Sequence, residues 1–511
     1  MTTIERIAAV VGREHCITDK AERELMSQDI FFWPDAVLAE AVVRPADTAQ
    51  VAAVMKAARE AGLYVAPRGG GMSYTKGYVP ERAGTIMLDL GRLNQIEEVN
   101  EQDLYIRVGA GCTWAQVREA LQPRGLRTVI SGPISGVVST VGGGMAQNVP
   151  GSMDNVLGLE VVLADGRVIH TGSSGVTRTK SDFYRYYGPD LTGLFMGDTG
   201  AYGIKTKVTL RIQPIPAGAV FASFSFDTLK DMALAMAGVA RLGVTNKSFG
   251  MDPLKNRTST KVSLMEGAKT LGDVIRSGRS LTEGLRDSLR VVRAGRGVLD
   301  DVEWSLHLTI EGIDEVAAQY AAELARRVCL ERGREIEPSV PIAMRARPFS
   351  IRGFLGLEGE RWVPVHAMFP LSRVETAVDA VQAFFAARKD ELDWHEIRYA
   401  FLSTINGPYW LIEPMFYWFD EISPLHRRHL DAQKIAKFVK AKPNPDARAV
   451  VQRIRAELRD AFFDIGAITS QIGKYYRLPE AMEPGAYQLL TEIKDLLDPD
   501  RRLNPGNLGW R

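Results

Sequence analysis

Two stretches of this 511-residue chain set three glycines in a row, where neither a helix nor a strand is favoured: "APRGGGMSYTKGY" (Ala66 to Tyr78) and "GPISGVVSTVGGGMAQNVPG" (Gly132 to Gly151). Glycine lacks a Cβ and tolerates positive φ, so such loops can turn several backbone N–H groups toward one anion. The first runs Arg68-Gly69-Gly70-Gly71-Met72-Ser73. The second carries Ser139 and Thr140 ahead of Gly142-Gly143-Gly144. A third, weaker cluster is "GDTGAYGI", Gly197 to Ile204. Each triplet alone also reads as a tight turn; two in one region, each delivered by a strand or a polar turn, point to a phosphate cradle. No GxxxxGK[ST] is present, and "GAGCTW" at Gly109 fails GxGxxG, so neither a P-loop nor a Rossmann NAD domain is supported. Glu413 is the other residue placed for chemistry. It interrupts the apolar, aromatic "YWLIEPMFYW", where a buried carboxylate could act as a base; pairing with an arginine or a strand-edge position is the plainer reading.

The elements that must position these residues are legible nearby. "PADTAQVAAVMKAAREAG" predicts a helix capped by Asp47 or Thr48, with Val51, Val54, Met55 and Ala58 on one face and Gly62 as its stop. "LYVAP" is a short strand leading into the first glycine loop. Further strands are expected at Thr85–Leu90 and Leu104–Gly109, and a Thr113-capped helix ends near Gly125. Asp165-Gly166 between apolar runs predicts a hairpin. "GIKTKVTLRI" alternates, which predicts a strand with one wet face. Past "QPIPAG" the character shifts to long helices such as "DEVAAQYAAELARRVCLERG" and apolar strands such as "WVPVHAMF". The C-terminal "AYQLLTEIKDLLDPDRRLNPGNLGWR" predicts a helix with Tyr487, Leu490, Ile493 and Leu497 on one face.

Composition narrows the class. Net charge is +1, which gives no electrostatic reason to expect nucleic acid; the basic run Arg286 to Arg296 reads as a solvated helix face. Three cysteines (Cys16, Cys112, Cys329) make no disulfide framework and imply a reducing compartment. No apolar run is long enough to span a bilayer, and the N-terminus lacks signal-peptide character, so a cytoplasmic protein is expected. No His/Cys/carboxylate spacing suggests a metal site.

"VVRPADTAQVAAVMKAAREAGLYVAPRGGGMSYTKGY", "STVGGGMAQNVPG", "DNVLGLEVVLADGRVIHTG", "DTGAYGIKTKVTL" and "LLDPDRRLNPGNLGW", in that order, resemble the vanillyl-alcohol oxidase/p-cresol methylhydroxylase flavoproteins. The resemblance covers 40–212 and 466–510. It implies an α+β, PCMH-type FAD-binding domain of two subdomains with an α+β cap (substrate) domain. The expected division is 1–215 for the N-terminal part of the FAD domain, 216–455 for the cap and 456–511 for the segment completing the FAD site. FAD contacts carried over by resemblance are Pro67, Arg68, Gly69, Gly70, Gly71, Met72, Ser73, Pro133, Ser139, Thr140, Gly142, Gly143, Gly144, Asn148, Gly203, Ile204, Arg502 and Asn504. Met72-Ser73 stands where relatives carry an FAD-linking histidine, so FAD is expected to be noncovalent; His395 is the nearest cap-domain candidate for a covalent bond.

The resemblance also sets the chemistry expected. "GKYYRLPEAM" is similar to the Tyr-Arg pair that phenol-oxidising members hold beside the flavin, which makes Tyr476 and Arg477 site residues, with Tyr74 as a third group and Tyr78 reaching the same way. Aromatic packing plus a surface arginine is the plainer reading of Tyr475-Tyr476-Arg477. The family's aspartate near flavin N5 falls at Gly151 or Ser152, not on an acid. The histidine-bearing segments of D-2-hydroxy-acid oxidising relatives correspond to "GAITSQIGKYYR" and "EPMFYWFDE", which have none. The implied activity is oxidation of a para-substituted phenol or aryl alcohol. A D-2-hydroxy-acid dehydrogenase is the first alternative and a non-redox synthase of the ether-lipid type the second. A small-molecule substrate, an electron acceptor (oxygen, a cytochrome or another carrier) and a homo-oligomer are the expected partners.

Overall fold

A computed structural model describes residues 2–129, 132–149, 153–179, 181–259, 299, 301–350 and 355–510. The basic run Arg286 to Arg296 and the pair Gly151 and Ser152 lie outside the described residues. The chain forms two compact units, one of Met1–Ile215, Ser423–Leu430 and Ser470–Arg511, the other of Pro216–Ile422 and Asp431–Thr469.

In the first unit, helix Thr48–Glu60 forms as its sequence dictates. The Asp47 side chain accepts from Gln50 N, and Val51, Val54, Met55 and Ala58 are the buried face. That face packs on a four-stranded sheet of β1 (Cys16–Ile17), β2 (Ala41–Val43), β3 (Tyr64–Arg68) and β4 (Thr85–Asp89), ordered β1-β2-β4-β3. β2, β4 and β3 are parallel, with Arg68 in register with Asp89 at their carboxyl ends. β3 is the edge strand, and the C-terminal segment closes it: Val65 N donates to the Arg502 carbonyl (3.0 Å) and Asn504 N to the Val65 carbonyl (2.8 Å). Leu503 joins the same core.

A second sheet contains β5 (Ile96–Asn100), β6 (Tyr105–Gly109), β8 (Val156–Val162), β9 (Val168–His170) and β10 (Ile204–Pro214) in the order β5-β6-β10-β8-β9, with β7 (Leu126–Thr128) also paired to β10. The hairpin at Asp165-Gly166 forms, with Gly166 at φ 83°. β10 corrects one expectation. It lies between β6 and β8, so Lys205, Thr206 and Thr209 are buried and only Arg211 and the terminal Pro214 are exposed. Buried polar groups need partners, and Lys205 Nζ meets Asp198 at 2.5 Å while the Thr209 hydroxyl donates to Asp182 at 2.9 Å. The C-terminal helix Pro484–Leu497 departs from expectation too. Its Tyr487, Leu490, Ile493 and Leu497 are only half-buried, and the side chain it buries is Lys494, whose ammonium donates to Asp498 (2.5 Å) and to the Ala201 and Leu503 carbonyls.

The second unit is built on one eight-stranded antiparallel sheet. Its order is β14 (Arg334–Ile336), β11 (Gly218–Phe226), β13 (Trp304–Gly312), β12 (Lys247–Met251), β17 (Arg398–Asn406), β18 (Tyr409–Trp418), β15 (Arg361–Pro364), with β16 (Ala367–Pro370) also on β18. Helix Pro445–Asp464 packs on β18 and buries Ala447, Val451, Ile454, Leu458 and Phe462. That apolar face keeps the chain in the second unit through Thr469, so the boundary expected near 455 falls inside a helix.

Two buried groups of this sheet show how burial sets ionisation. His307 lies between the Ser223 and Ser305 hydroxyls (2.9 Å each), and burial pushes its imidazole down to about 3. Asp252 accepts from Lys255 N at 2.8 Å, yet burial pushes its carboxyl up to about 6. An acid with a raised folded pKa binds its proton more tightly in the folded chain. Its contribution is therefore present at low pH and is lost as pH climbs from about 4 to about 6, by up to about 3 kcal/mol. The stability difference between Asp252→Asn and the wild type, from urea unfolding at pH 4 and pH 7, is expected to shift toward the mutant at pH 7. A pH-independent difference would contradict the raised pKa.

Candidate functional site

The two glycine loops meet at the end of β3. A Cβ on Gly69 would overlap the Thr140 hydroxyl, one on Gly70 would overlap the Val138 carbonyl, and one on Gly71, at φ 74°, would overlap the Arg68 guanidinium. The first loop is fixed from behind. The Tyr78 hydroxyl donates to the Gly71 carbonyl (2.8 Å), Ile30 N donates to the Ser73 carbonyl (3.1 Å), and buried Asp29 accepts from Lys76 N (2.8 Å). Tyr78 is thus spent on holding the loop rather than on a substrate. Burial, opposed by Arg68, raises its phenol well above the ordinary range.

In the second loop Thr140 caps helix Val141–Ala146, its hydroxyl accepting from Gly143 N at 3.2 Å. Gly142 N donates to the Ala110 carbonyl (2.8 Å), and a Cβ on Gly142 would stand 2.6 Å from Ala110 Cβ. Ser139 pairs with Ser135 at 2.6 Å. Asn148 takes positive φ (51°) just past the helix, and Pro133 lies on the approach to the loop. Gly203 packs against Val161 and Phe195, and Ile204 is a core residue at the start of β10.

Asn504 ties the first glycine loop to the third glycine cluster. Buried and at φ 47°, it donates from Nδ2 to the Gly77 carbonyl (3.0 Å) and the Thr199 carbonyl (2.6 Å), while Asn507 Nδ2 also donates to Gly77 (2.8 Å). Gln147 and Thr199 crowd Gly77 from the other side. Among the described residues, several buried polar atoms here have no hydrogen-bond partner: Arg68 Nε, Gln147 Oε1, Thr199 Oγ1 and Asn504 Oδ1. Such groups are costly unless a ligand satisfies them. A backbone cradle without room for side chains, a buried arginine and converging acceptors fit a dinucleotide with a polar linker. Gln147 and Thr199 escaped sequence reasoning, although both border the glycine clusters. Arg502 is a correction. Its guanidinium donates to the Gly62 carbonyl and lies over Tyr64 (5.3 Å), at the start of β3, the end opposite the loop.

The "GKYYR" segment lies along the exit of the first loop: Lys474 N donates to the Thr75 carbonyl (3.0 Å), and a Cβ on Gly473 would overlap that same carbonyl. Tyr74 and Tyr476 are both buried, and Tyr475 and Tyr476 meet edge to face at 5.1 Å. Lys474 Nζ donates to the Val79 carbonyl (2.5 Å), and burial pushes its amine down to about 8. Arg477 is turned to Glu480, 3.8 Å away, on the more exposed side of the segment.

In the second unit, successive residues of β18 face opposite ways. Trp410, Ile412, Phe416 and Trp418 are fully buried, while Glu413 shares the other face with Met415 and Tyr417. Glu413 pairs with a histidine. Its Oε1 lies 2.9 Å from Nε2 of buried His366, which sits between β15 and β16. The Lys255 ammonium donates to the Tyr417 hydroxyl (2.5 Å). His395 ends helix Lys389–Trp394 between exposed Trp394 and Glu396, a surface turn that offers no support for a covalent cofactor bond.

Residues 39–172 match the FAD binding domain family and residues 472–508 the C-terminal domain of FAD linked oxidases. The chain is 30% identical over 202 residues to the mitochondrial D-lactate dehydrogenase (cytochrome) of Arabidopsis thaliana, 38% of this chain and 34% of that protein. It is 31% identical over 224 residues to the glycolate oxidase subunit GlcD of Bacillus subtilis, 42% of this chain and 45% of that one. The aligned region thus spans less than half the length of these relatives. Substrate-bound p-cresol methylhydroxylase superposes with a TM-score of 0.74 at 19% identity, over 99% of this chain and 96% of the other. The isoeugenol complex of 4-ethylphenol oxidase from Gulosibacter chungangensis gives the same score and identity, over 99% and 97%. The fold and the glycine cradle define an FAD-binding protein. The chain has the α+β, PCMH-type fold of p-cresol methylhydroxylase and 4-ethylphenol oxidase.

The cradle predicts a sharp consequence. Gly70→Ala is expected to lower FAD affinity by at least about tenfold, because its methyl must push the two loops apart. Gly125→Ala, at a position that does take positive φ (68°) but with nothing within 4 Å of the new methyl, is expected to cost about 1 kcal/mol of stability and leave FAD affinity alone. Fluorescence titration of FAD into the deflavinated variants checks both.

Proposed function

We propose that the protein is an FAD-linked oxidoreductase that removes hydride from the benzylic carbon of a para-substituted phenol or an aryl alcohol. The observation that carries this reading is the pair of buried tyrosines, Tyr74 and Tyr476, on two segments joined by the Lys474–Thr75 backbone bond beside the glycine cradle. FAD, when bound in that cradle, supplies hydride acceptance at flavin N5.

The chain's own part is binding, charge and orientation. Hydroxyls of Tyr74 and Tyr476 donate to the phenol oxygen, which favours its ionised form. As the benzylic C–H pair leaves, an oxygen lone pair of the phenolate closes a C=O bond, giving a quinone methide. Arg477 adds positive charge at that oxygen by giving up Glu480, a part-exposed pair worth under about 1 kcal/mol. Glu413, with His366 holding it in the second unit, is the carboxylate proposed to serve as a base.

A second reading, oxidation of a D-2-hydroxy acid, is favoured by the sequence relatives, whose names are D-lactate dehydrogenase and glycolate oxidase. There the hydride leaves the carbinol carbon, and the hydroxyl proton goes to the same base. Oxygen, a cytochrome or another carrier then takes the electrons. A reducing compartment is supported by Cys16, Cys112 and Cys329, all free and buried, and no helix among the described residues is long and apolar enough to cross a membrane. A cytoplasmic homo-oligomer completes the proposal.

Anaerobic mixing with substrate separates the readings. A 4-alkylphenol is expected to bleach the flavin band, and Tyr476→Phe to slow that bleaching about a hundredfold with FAD still bound. Bleaching by D-lactate or glycolate alone would transfer the site to hydroxy acids and leave Tyr476 a packing residue. A flavin bleached by neither class would remove the oxidoreductase reading.

A further inference from the structure

Helix Glu315–Leu330 lies on β11 and β13 of the second unit's sheet, capped by the Asp314 side chain, which accepts from Ala317 N at 2.7 Å. The face it buries is narrow and made of small side chains, Ala318, Ala322, Ala325 and Cys329, all at 0% exposure. A surface helix ordinarily turns polar residues to the other side. Here Val316 is 77% and Tyr320 68% exposed, and Ile313, just ahead of the cap, is 86% exposed.

The spacing of these residues is regular. Ile313, Val316, Tyr320, Glu323, Arg327 and Leu330 follow one another at alternating intervals of three and four, the a and d positions of a heptad. Ala318 and Ala325 then fall at f, the position farthest from that seam, and both are buried against the sheet. The seam therefore points outward. Single apolar residues on a surface are ordinary; a row of them at heptad spacing is a surface into which another helix packs.

Charge says which helix. Acidic residues gather at the start of the row, at Glu311, Asp314 and Glu315. At its end Arg326, Arg327, Arg332 and Arg334 outnumber Glu331 and Glu335. The same helix turned end for end presents the complementary order, whereas a parallel copy would set like charges together. Antiparallel packing places a against d. Ile313 then meets Leu330 of the second copy, Val316 meets the apolar stem of Arg327, and the Tyr320 hydroxyl meets the carboxylate of Glu323. Glu323 already stands 3.1 Å from Arg326 and 3.6 Å from Arg327 of its own helix, so two of these carboxylates can approach one axis without repulsion.

We propose that the outward seam of helix Glu315–Leu330 joins two copies of this chain, laid antiparallel about a two-fold axis that passes near Ala321. The inference rests on the homo-oligomer reading above and assigns the surface that makes it. One helix pair is a small interface, so association with a Kd in the micromolar range is expected.

Sedimentation of the full chain over a range of concentrations tests the surface. Val316→Glu combined with Tyr320→Glu, both outside the packed face, is expected to weaken self-association at least about a hundredfold with circular dichroism unchanged. Cross-linking of co-expressed chains, one carrying Val316→Cys and the other Arg327→Cys, tests the register; the chain's own three cysteines are buried. Oxidation by copper-phenanthroline is expected to join the two variants to each other and neither to itself, because like positions lie about 16 Å apart in the antiparallel pair. A dimer that survives the double glutamate substitution, or a dimer that gives no mixed cross-link, would overturn the proposal and leave the homo-oligomer reading standing. Val316→Cys chains linked to one another would show parallel pairing and overturn it as well. Wild-type chain that is monomeric at every concentration would remove the homo-oligomer reading and this surface with it, and leave the seam to a helix of another protein.

Discussion

The first unit depends on one close approach. The chain leaving β3 through Gly69 and Gly70 runs against the Val138–Thr140 segment with backbone and hydroxyl where any Cβ would have to go. A separation that small can be built only from glycine, and it fixes where the two sheets of the unit meet. Asp29, Tyr78 and Ile30 hold one side of the contact; the capped Val141–Ala146 helix and Ala110 hold the other. Polar atoms left unsatisfied beside the contact, on Arg68, Gln147, Thr199 and Asn504, mark the space as one made for a ligand rather than for packing.

The C-terminal tail locks the arrangement. Leu503 pairs with β3 as an added strand, and Arg502 clamps the start of that strand. Asn504 and Asn507 hold the Gly77 and Thr199 turns through their side-chain amides. The "GKYYR" segment then lies beside Thr75, so the tyrosines proposed to bind substrate are set by the same backbone that sets the cradle. Cofactor site and tyrosine site are in this sense one construction.

What was legible in the sequence was what local chemistry decides. The Asp47 cap, the Val51–Ala58 face, the Thr113 cap and the Asp165-Gly166 turn each depend on residues within a few positions of one another, and all appear as read. The glycine triplets announced a cradle because only a close approach explains them. Misreadings came where a distant partner reversed a local pattern. Lys205 looks like a wet-face residue until Asp198 is placed against it, and the Tyr487, Leu490, Ile493 and Leu497 stripe looks like the buried face although the side chain its helix buries is Lys494. Glu413 has its partner 47 positions away at His366, and Ser423–Leu430 crosses between units with nothing in its composition to mark it. Spacing alone carries no signal for contacts of that range.

The most direct test of the central claim, that these loops hold FAD without a covalent bond, is acid precipitation of the purified, yellow-tested protein followed by quantitation of flavin in both fractions. The account predicts close to one FAD per chain, all of it in the supernatant. Flavin remaining in the washed pellet would show a covalent bond, and protein that is colourless and takes up no added FAD would contradict the cradle itself.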